Sequence, residues 1–315
     1  MTNMKVNNIE QGSMEWLLWR RGGVTATDAA AINGTSKWKT RLDVWKDKTD
    51  TNPPEQNTSS AMEWGHRIEP LLRDKFAEVF ETKVEPSELF QNDEHPWMLA
   101  SLDGRAFVDG NEAIVECKTA HSREDWFDED DNEIIPEGYQ TQALWQMMVT
   151  GIKTVYFSVL INGSEWFYRV FIYDEDRAKK LLEQCLELWG HVCNKTTPEP
   201  QDGPLSENDA KTYAAIAADS EQTEVAEADV LLVEEYNKWK EKLDTATEKL
   251  NDVKARISHA LEGKVCLMHE GKKFASIVTR KGSETIDKEK FKKLDLSLYR
   301  SCVKIGKPSH YVKIN

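Results

Sequence analysis

None of the five cysteines (Cys117, Cys185, Cys193, Cys266 and Cys302) belongs to a CxxC pair. The odd count and wide spacing speak against a disulfide framework and against a zinc or iron–sulfur centre. They fit reduced thiols in a cytosol. No apolar run reaches the roughly 18 residues that a membrane-spanning helix needs. The first residues lack the charged-then-apolar pattern of a secretory signal, so a soluble, intracellular protein is expected. Positive charge is also short. The 41 Lys+Arg face 55 Asp+Glu, a net of −14, which excludes a wholly basic nucleic-acid coat protein.

The positive charge that exists is gathered at one end. Residues 263–315 hold 13 Lys+Arg and 5 Asp+Glu, a net of +8, so the rest of the chain carries −22. An acidic body with a basic tail leaves two readings open, a solvated surface or a nucleic-acid contact. With 315 residues, 39% of them hydrophobic, the chain can bury a large core in one or two domains.

Residues 13–50 read as short helices, broken at Gly22 and Gly23, with Thr25 or Thr27 placed to cap a helix over 28–32. Residues 49–60 are a polar loop. Residues 61–82 read as a helix with Met62, Ile68, Leu71, Leu72, Phe76 and Phe80 on one side. Two strands follow over 97–118, turning at Asp109-Gly110-Asn111. The charge run 124–133 reads as a mobile, solvated loop. A helix is expected over 138–150, ending at Gly151. Strands over 153–161 and 165–173 are joined at Asn162-Gly163, and a helix runs over 174–194.

Residues 1–195 are therefore expected to form one domain, followed by an acidic, Pro-containing linker over 196–224. A long helix is expected over 225–262. Its apolar residues Tyr236, Trp239, Leu243, Ala246, Leu250, Val253, Ile257 and Ala260 alternate steps of three and four, a heptad seam. The basic residues 263–315 read as a small region of strands with a short helix near 287–300.

The chemistry is concentrated in SLDGRAFVDGNEAIVECKT, residues 101–119. Asp103 and Glu116 fall on adjacent strands, and Glu116 and Lys118 share a face of theirs. Two carboxylates can hold Mg²⁺, which prefers hard oxygen ligands. A lysine beside them can orient or deprotonate water and offset phosphate charge. Taken alone, the same motif fits an exposed hairpin with surface charges. Glu69, in WGHRIEP, stands beside an apolar helical stripe and could be a third ligand or a surface residue. Gln142 lies in EGYQTQALWQMMVTG, a helix otherwise rich in apolar residues.

Taken in order, WLLWRRGGVTATDAAAINGTSKWKT, MEWGHRIEP, SLDGRAFVDG, IVECKT and EGYQTQALWQMMVTG resemble the YqaJ-type phage recombinase family. They resemble phage lambda exonuclease more distantly, within the PD-(D/E)xK nuclease superfamily. The resemblance covers residues 13 to 195. It implies an α/β (α+β) fold, a restriction-endonuclease-like core with a central mixed sheet flanked by helices. The long helix and a small basic α+β extension would follow it at the C-terminal end.

By resemblance, Asp103, Glu116 and Lys118 are the catalytic triad, Glu69 an additional metal-site glutamate and Gln142 an active-site glutamine. Arg20, Thr27 and Ser101 match the positions that hold a 5′-terminal phosphate. The implied cofactor is Mg²⁺, one or two ions, with Mn²⁺ able to substitute. The implied substrate is the ends of double-stranded DNA, cut 5′ to 3′ to leave 3′ overhangs for a single-strand annealing protein. A homo-oligomer, trimeric by resemblance, and a phage- or prophage-encoded protein acting in the bacterial cytoplasm are also implied. An endonuclease of the same superfamily and a catalytically silent DNA-binding or assembly protein are the alternatives. Leu102 stands where a Pro is usual, Thr27 where a Ser is common, and Leu144 where a second Gln often occurs. Arg21 competes with Arg20 for the phosphate role. Arg20, Arg21, Lys37, Lys39, Arg41 and Arg105 could line a positive DNA channel. Trp38 between two of these lysines suits either base stacking or the core.

Overall fold

The computed structural model describes residues 3–6, 9–52, 59–200, 207–219, 227–279, 293 and 297–299. The chain divides into two compact units, Met1–Tyr213 and Ala214–Asn315. The first unit is built on one six-stranded sheet in the order β1-β2-β3-β4-β5-β6. Its strands are β1 (Asn3–Val6), β2 (Val84–Asn92), β3 (Leu99–Val108), β4 (Asn111–Ala120), β5 (Thr154–Ile161) and β6 (Glu165–Ile172). Every neighbouring pair is antiparallel except β4 and β5, which run parallel. A parallel pair needs a crossover. Here it is supplied by helix α5 (Glu137–Thr150), preceded by a 3₁₀ turn at Arg123–Asp125. This is the central mixed sheet flanked by helices that the sequence leads one to expect.

The hairpin of β3 and β4 forms because the two strands alternate and Asp109 and Gly110 both take positive φ at the turn. Along β3, Leu102, Gly104, Ala106 and Val108 are buried while the residues between them are more open. The register sets Gly104 opposite Val115 and continues toward Asp103 and Glu116. Helices α1 (Met14–Arg21), α2 (Ala26–Ile32) and α3 (Arg41–Thr49) precede the long helix α4 (Ser60–Val79). A capping box between Thr25 and Asp28 starts α2, and Gly151, at φ 77°, ends α5. Helix α6 (Glu175–Asn194) packs Ala178, Leu181, Cys185 and Leu188 inward.

Four expectations need correction. Met62 and Leu71 are more than half exposed, so the buried stripe of α4 narrows to Leu72 and Phe76. The charge run 124–133 is anchored, because Trp126 inside it is fully buried against Phe157 and Phe167. Helix α7 (Glu207–Asp219) stands within the stretch read as a linker, since its Ala-rich sequence has high helix propensity. Strand β2, with Pro86 and two glutamates, was not foreseen.

In the second unit, helix α8 (Val230–Ala260) takes up the heptad-patterned stretch, and β7 (Leu267–His269) pairs antiparallel with β8 (Lys272–Ala275). The short helix expected near 287–300 lies for the most part outside the described residues. Among the described residues no helix is long and apolar enough to cross a membrane.

Candidate active site

Asp103, Glu116 and Lys118 come together where β3 meets β4. The Asp103 carboxylate accepts the Cys117 backbone N–H at 2.8 Å. Lys118 Nζ donates to Glu116 Oε1 at 2.7 Å and lies 4.8 Å from the centre of the Tyr139 ring. The two strands put these residues on one face, and α5 closes over it.

Charge is dense at this point. Burial pushes the Asp103 pKa well above the usual carboxylate range, and the negative charges of Glu116 and Glu69 push it the same way. Burial disfavours the Lys118 ammonium, but Glu116 and Asp103 outweigh it and hold the lysine above its ordinary value. The Lys118 ammonium donates to Glu116 in this arrangement.

Helix α4 brings Glu69 to the same cluster. Pro70 follows it directly and removes one helical hydrogen bond at that turn. Arg73, one turn on, donates to the Glu69 carboxylate and, at 3.0 Å, to the Asp103 carbonyl. Ser158 Oγ on β5 donates to the Leu72 carbonyl at 3.1 Å and fixes the helix to the sheet. Gly104 permits this approach. A Cβ there would stand 2.7 Å from Val84 Cγ1 and 3.1 Å from Arg73 Cδ.

The glutamine foreseen at the site, Gln142, offers its Oε1 to Lys118 Nζ at 3.5 Å, the outer limit of a hydrogen bond. The closer glutamine is Gln146, one turn further along α5. Its Nε2 donates to Glu116 Oε2 at 2.8 Å and to the Ser101 carbonyl at 3.2 Å. Sequence reading passed over Gln146, although a polar residue four positions from Gln142 on a buried helix face is a usable signal. Arg73 and the Cys117 N–H were also missed.

The donor set suits a divalent cation. Asp103 and Glu116 present hard oxygens on one face, and their mutual repulsion is what a cation relieves. Ser101 Oγ and Gln146 Oε1 are buried without a hydrogen-bond partner among the described residues. Buried polar atoms of this kind call for a polar partner. As they stand, no three His, Cys, Asp or Glu groups among the described residues are gathered to hold an ion. Glu69 is turned onto Arg73, and Glu116 onto Lys118 and Gln146.

A second cluster forms around α2. Arg20 donates to Thr27 Oγ1 at 2.9 Å and reaches Thr25 Oγ1 at 3.5 Å. Its guanidinium lies over the Trp16 ring at 4.4 Å. Beneath it, Asp28 accepts from Thr25 Oγ1 at 2.7 Å and pairs with buried Lys48 at 2.8 Å. Lys48 also donates to the Arg20 carbonyl at 2.7 Å. Arg21 is tied to Asp47 at 3.0 Å and to the Asn52 carbonyl, which leaves Arg20 as the arginine facing the two threonines. Ser101, expected with Arg20 and Thr27, makes no hydrogen bond to either.

The expected positive channel is largely neutralised. Arg41 is buried in an ion pair with Glu187, Arg105 is shared by Glu88 and Glu112, and Lys37 meets Asp125. Trp38 is 89% exposed and is no part of the core.

Residues 15–153 match the family described as the YqaJ-like viral recombinase domain. The YqaJ protein of Bacillus subtilis (strain 168) is 27% identical over 261 residues, covering 81% of this chain and 80% of that protein. Among solved structures, the alkaline exonuclease LHK-Exo of Laribacter hongkongensis is similar with a TM-score of 0.47. It is 16% identical, over 58% of this chain and 94% of its own. A phage-related exonuclease from Haemophilus somnus 129PT has a TM-score of 0.40 and 10% identity, over 55% of this chain and 96% of its own. The YqaJ-type resemblance read from the motifs holds over the matched residues.

Proposed function

We propose that this chain, which carries a YqaJ-like recombinase domain over residues 15–153, hydrolyses DNA phosphodiesters at duplex ends with Mg²⁺. Mn²⁺ would substitute. The observation that carries this reading is the convergence of Asp103, Glu116 and Lys118 on one face of the β3–β4 hairpin.

Asp103 and Glu116 would hold one ion, with Glu69 joining when its carboxylate leaves Arg73. Bound there, a divalent cation supplies Lewis acidity to the phosphate and acidifies a water. The chain does the rest. Lys118, held between Glu116 and Gln142, donates to the attacking water or to a non-bridging oxygen and offsets developing negative charge. Gln146 keeps Glu116 oriented through its second oxygen. Arg73 holds the backbone of Asp103 in place. Arg20, with Thr27 and Thr25 beside it, presents donors suited to a terminal phosphate. That supports attack from a 5′ end, with a 3′ overhang as product and a single-strand annealing protein as its recipient. A ring-shaped homo-oligomer would keep such an enzyme on its product.

The test uses linear duplex with 5′-phosphate or 5′-hydroxyl ends and a closed circle, each in Mg²⁺ and in EDTA. Metal-dependent loss of the 5′-phosphate duplex alone is the expected result. Cutting of the circle would favour an endonuclease. DNA binding with no cutting in any arm would leave a silent binding protein.

A further inference from the structure

Helix α8 (Val230–Ala260) runs for 31 residues and buries none of them. Tyr236, Trp239, Leu243, Leu250 and Val253 of its heptad seam all lie exposed. Most helices in proteins owe their stability to a packed apolar face. This one carries such a face, about 36 Å long from Tyr236 to Ala260, and leaves it open. Nothing in the chemistry proposed above uses it.

The charges beside the seam indicate what covers it. With Tyr236 at heptad position a and Trp239 at d, the flanking positions e and g hold Lys240, Lys242, Lys249, Lys254 and Arg256 against one acid, Glu235. Lys242 and Lys240 lean over the rings of Trp239 and Tyr236, at 4.2 and 5.8 Å, so their ammonium groups stand at the rim of the seam. Arg256 pairs with Asp252 of its own helix at 2.8 Å, while the four lysines make no ion pair among the described residues. Glu234, Glu241 and Glu248 fall at position f, on the opposite face.

A second copy of α8 would bring the same cations to the same flanks. In a parallel pair Lys249 would face Lys254 of the second copy, and only Glu235 would meet an opposite charge, on Lys240. A lipid surface takes a helix with a wide apolar face, whereas here the lysines confine it to the narrow seam of helix-on-helix packing. A nucleic-acid strand would neutralise the lysines but leave Leu243, Leu250 and Val253 in water. A helix with its own apolar seam and acidic flanks satisfies both features at once.

We propose that the seam of α8 is a docking surface for an amphipathic helix of another protein, apolar at its a and d positions and flanked by Asp or Glu. The inference is independent of the nuclease reading.

The experiment uses the full chain and two synthetic four-heptad peptides. Both carry Leu at a and d; one carries Glu at every e and g position and the other Lys. Fluorescence anisotropy of the labelled peptide follows binding. The Glu peptide should bind more tightly than the Lys peptide by about tenfold or more. Leu243→Asp combined with Leu250→Asp should abolish that binding. Both residues are exposed, so the change removes no buried contact, and circular dichroism checks the helix. Lys242→Glu, Lys249→Glu and Lys254→Glu together should swap the preference to the Lys peptide, a result that loss of structure does not produce.

Equal binding of the two peptides, or binding of neither, would overturn the proposal. Self-association in sedimentation that the paired Leu→Asp changes abolish would overturn it in favour of a second copy. Short oligothymidylate or phosphatidylserine vesicles held by the same lysines, with no binding of the Glu peptide, would overturn it in favour of nucleic acid or membrane.

Discussion

Gln146 Nε2 donates to Glu116 Oε2 at 2.8 Å, across 30 positions of sequence, and this bond orients the central carboxylate of the site. Lys118 occupies the other oxygen. Gln146→Ala would leave a buried carboxylate oxygen without its donor. Loss of such an orienting partner usually costs about 10–100-fold in metal affinity or activity. Titrating Mg²⁺ against cleavage rate should show that loss for Gln146→Ala. A smaller loss is expected for Gln142→Ala, whose contact with Lys118 is longer. The reverse order would restore the role to Gln142.

Lys118→Ala should reduce cleavage by about 100- to 1,000-fold, the usual cost of one transition-state donor, while DNA binding persists. Lys118→Arg should not recover the rate, because a guanidinium fork would bind Glu116 bidentately and stack on the Tyr139 ring instead of presenting a compact ammonium to the water. Single-turnover cleavage and equilibrium binding separate the two effects. Full turnover by Lys118→Ala would sink the proposed chemistry.

Arg20 and Arg21 are neighbours in sequence with different duties. Arg20→Ala should bring the rate ratio between 5′-phosphate and 5′-hydroxyl duplexes close to one, a loss of roughly tenfold or more for a charge-assisted contact. Arg21→Ala removes the Asp47 pair and should lower the melting temperature while leaving the ratio intact. Competition assays with mixed ends report this directly.

Burial works against the Asp28 carboxylate, yet Lys48, Lys39 and Arg20 around it hold its pKa well below the usual carboxylate range. The unfolded chain would take up a proton at this group near its ordinary value, about 3.9. The stabilisation is thus fully present above that pH and is lost as pH falls toward the folded value, so stability rises with pH across the acid range. Asp28→Asn should flatten that slope. It should also cost about 3–5 kcal/mol, because Lys48 is then buried without its counter-ion. Urea unfolding between about pH 3 and pH 7 measures both quantities. Parallel curves for the two proteins would assign the acid sensitivity to another group.

The β3–β4 hairpin was legible because period-two burial and the Asp109-Gly110 turn are local signals. Asp103, Glu116 and Lys118 came with it, since strand geometry alone puts them on a common face. Helix α5 was legible from its apolar content and from Gly151. Its buried glutamine was not, because propensity says nothing about which polar residue a neighbouring strand will claim. The Asp28–Lys48 pair joins two helices across 20 positions, and each residue alone reads as surface charge. Strand β2 was hidden by Pro86 and its glutamates. Its carboxylates make sense only once Arg105 and Lys5 stand on the adjoining strands. What was missed is pairing between elements, which no single window of sequence contains.

The parallel pairing of β4 with β5 also bears on when the protein becomes what it is. Two neighbouring strands that run the same way cannot zip from a tight turn; the chain must first travel through α5 and return as β5. Distant pairings of this kind are slow to close. Gln142 and Gln146 ride on the connecting segment, so they reach Lys118 and Glu116 only when that journey is complete. A chain with β5 unmade can already hold Asp103 and Glu116 on the β3–β4 hairpin, but it lacks the α5 glutamines that orient Glu116 and meet Lys118. The completed candidate site and the finished core therefore arrive together.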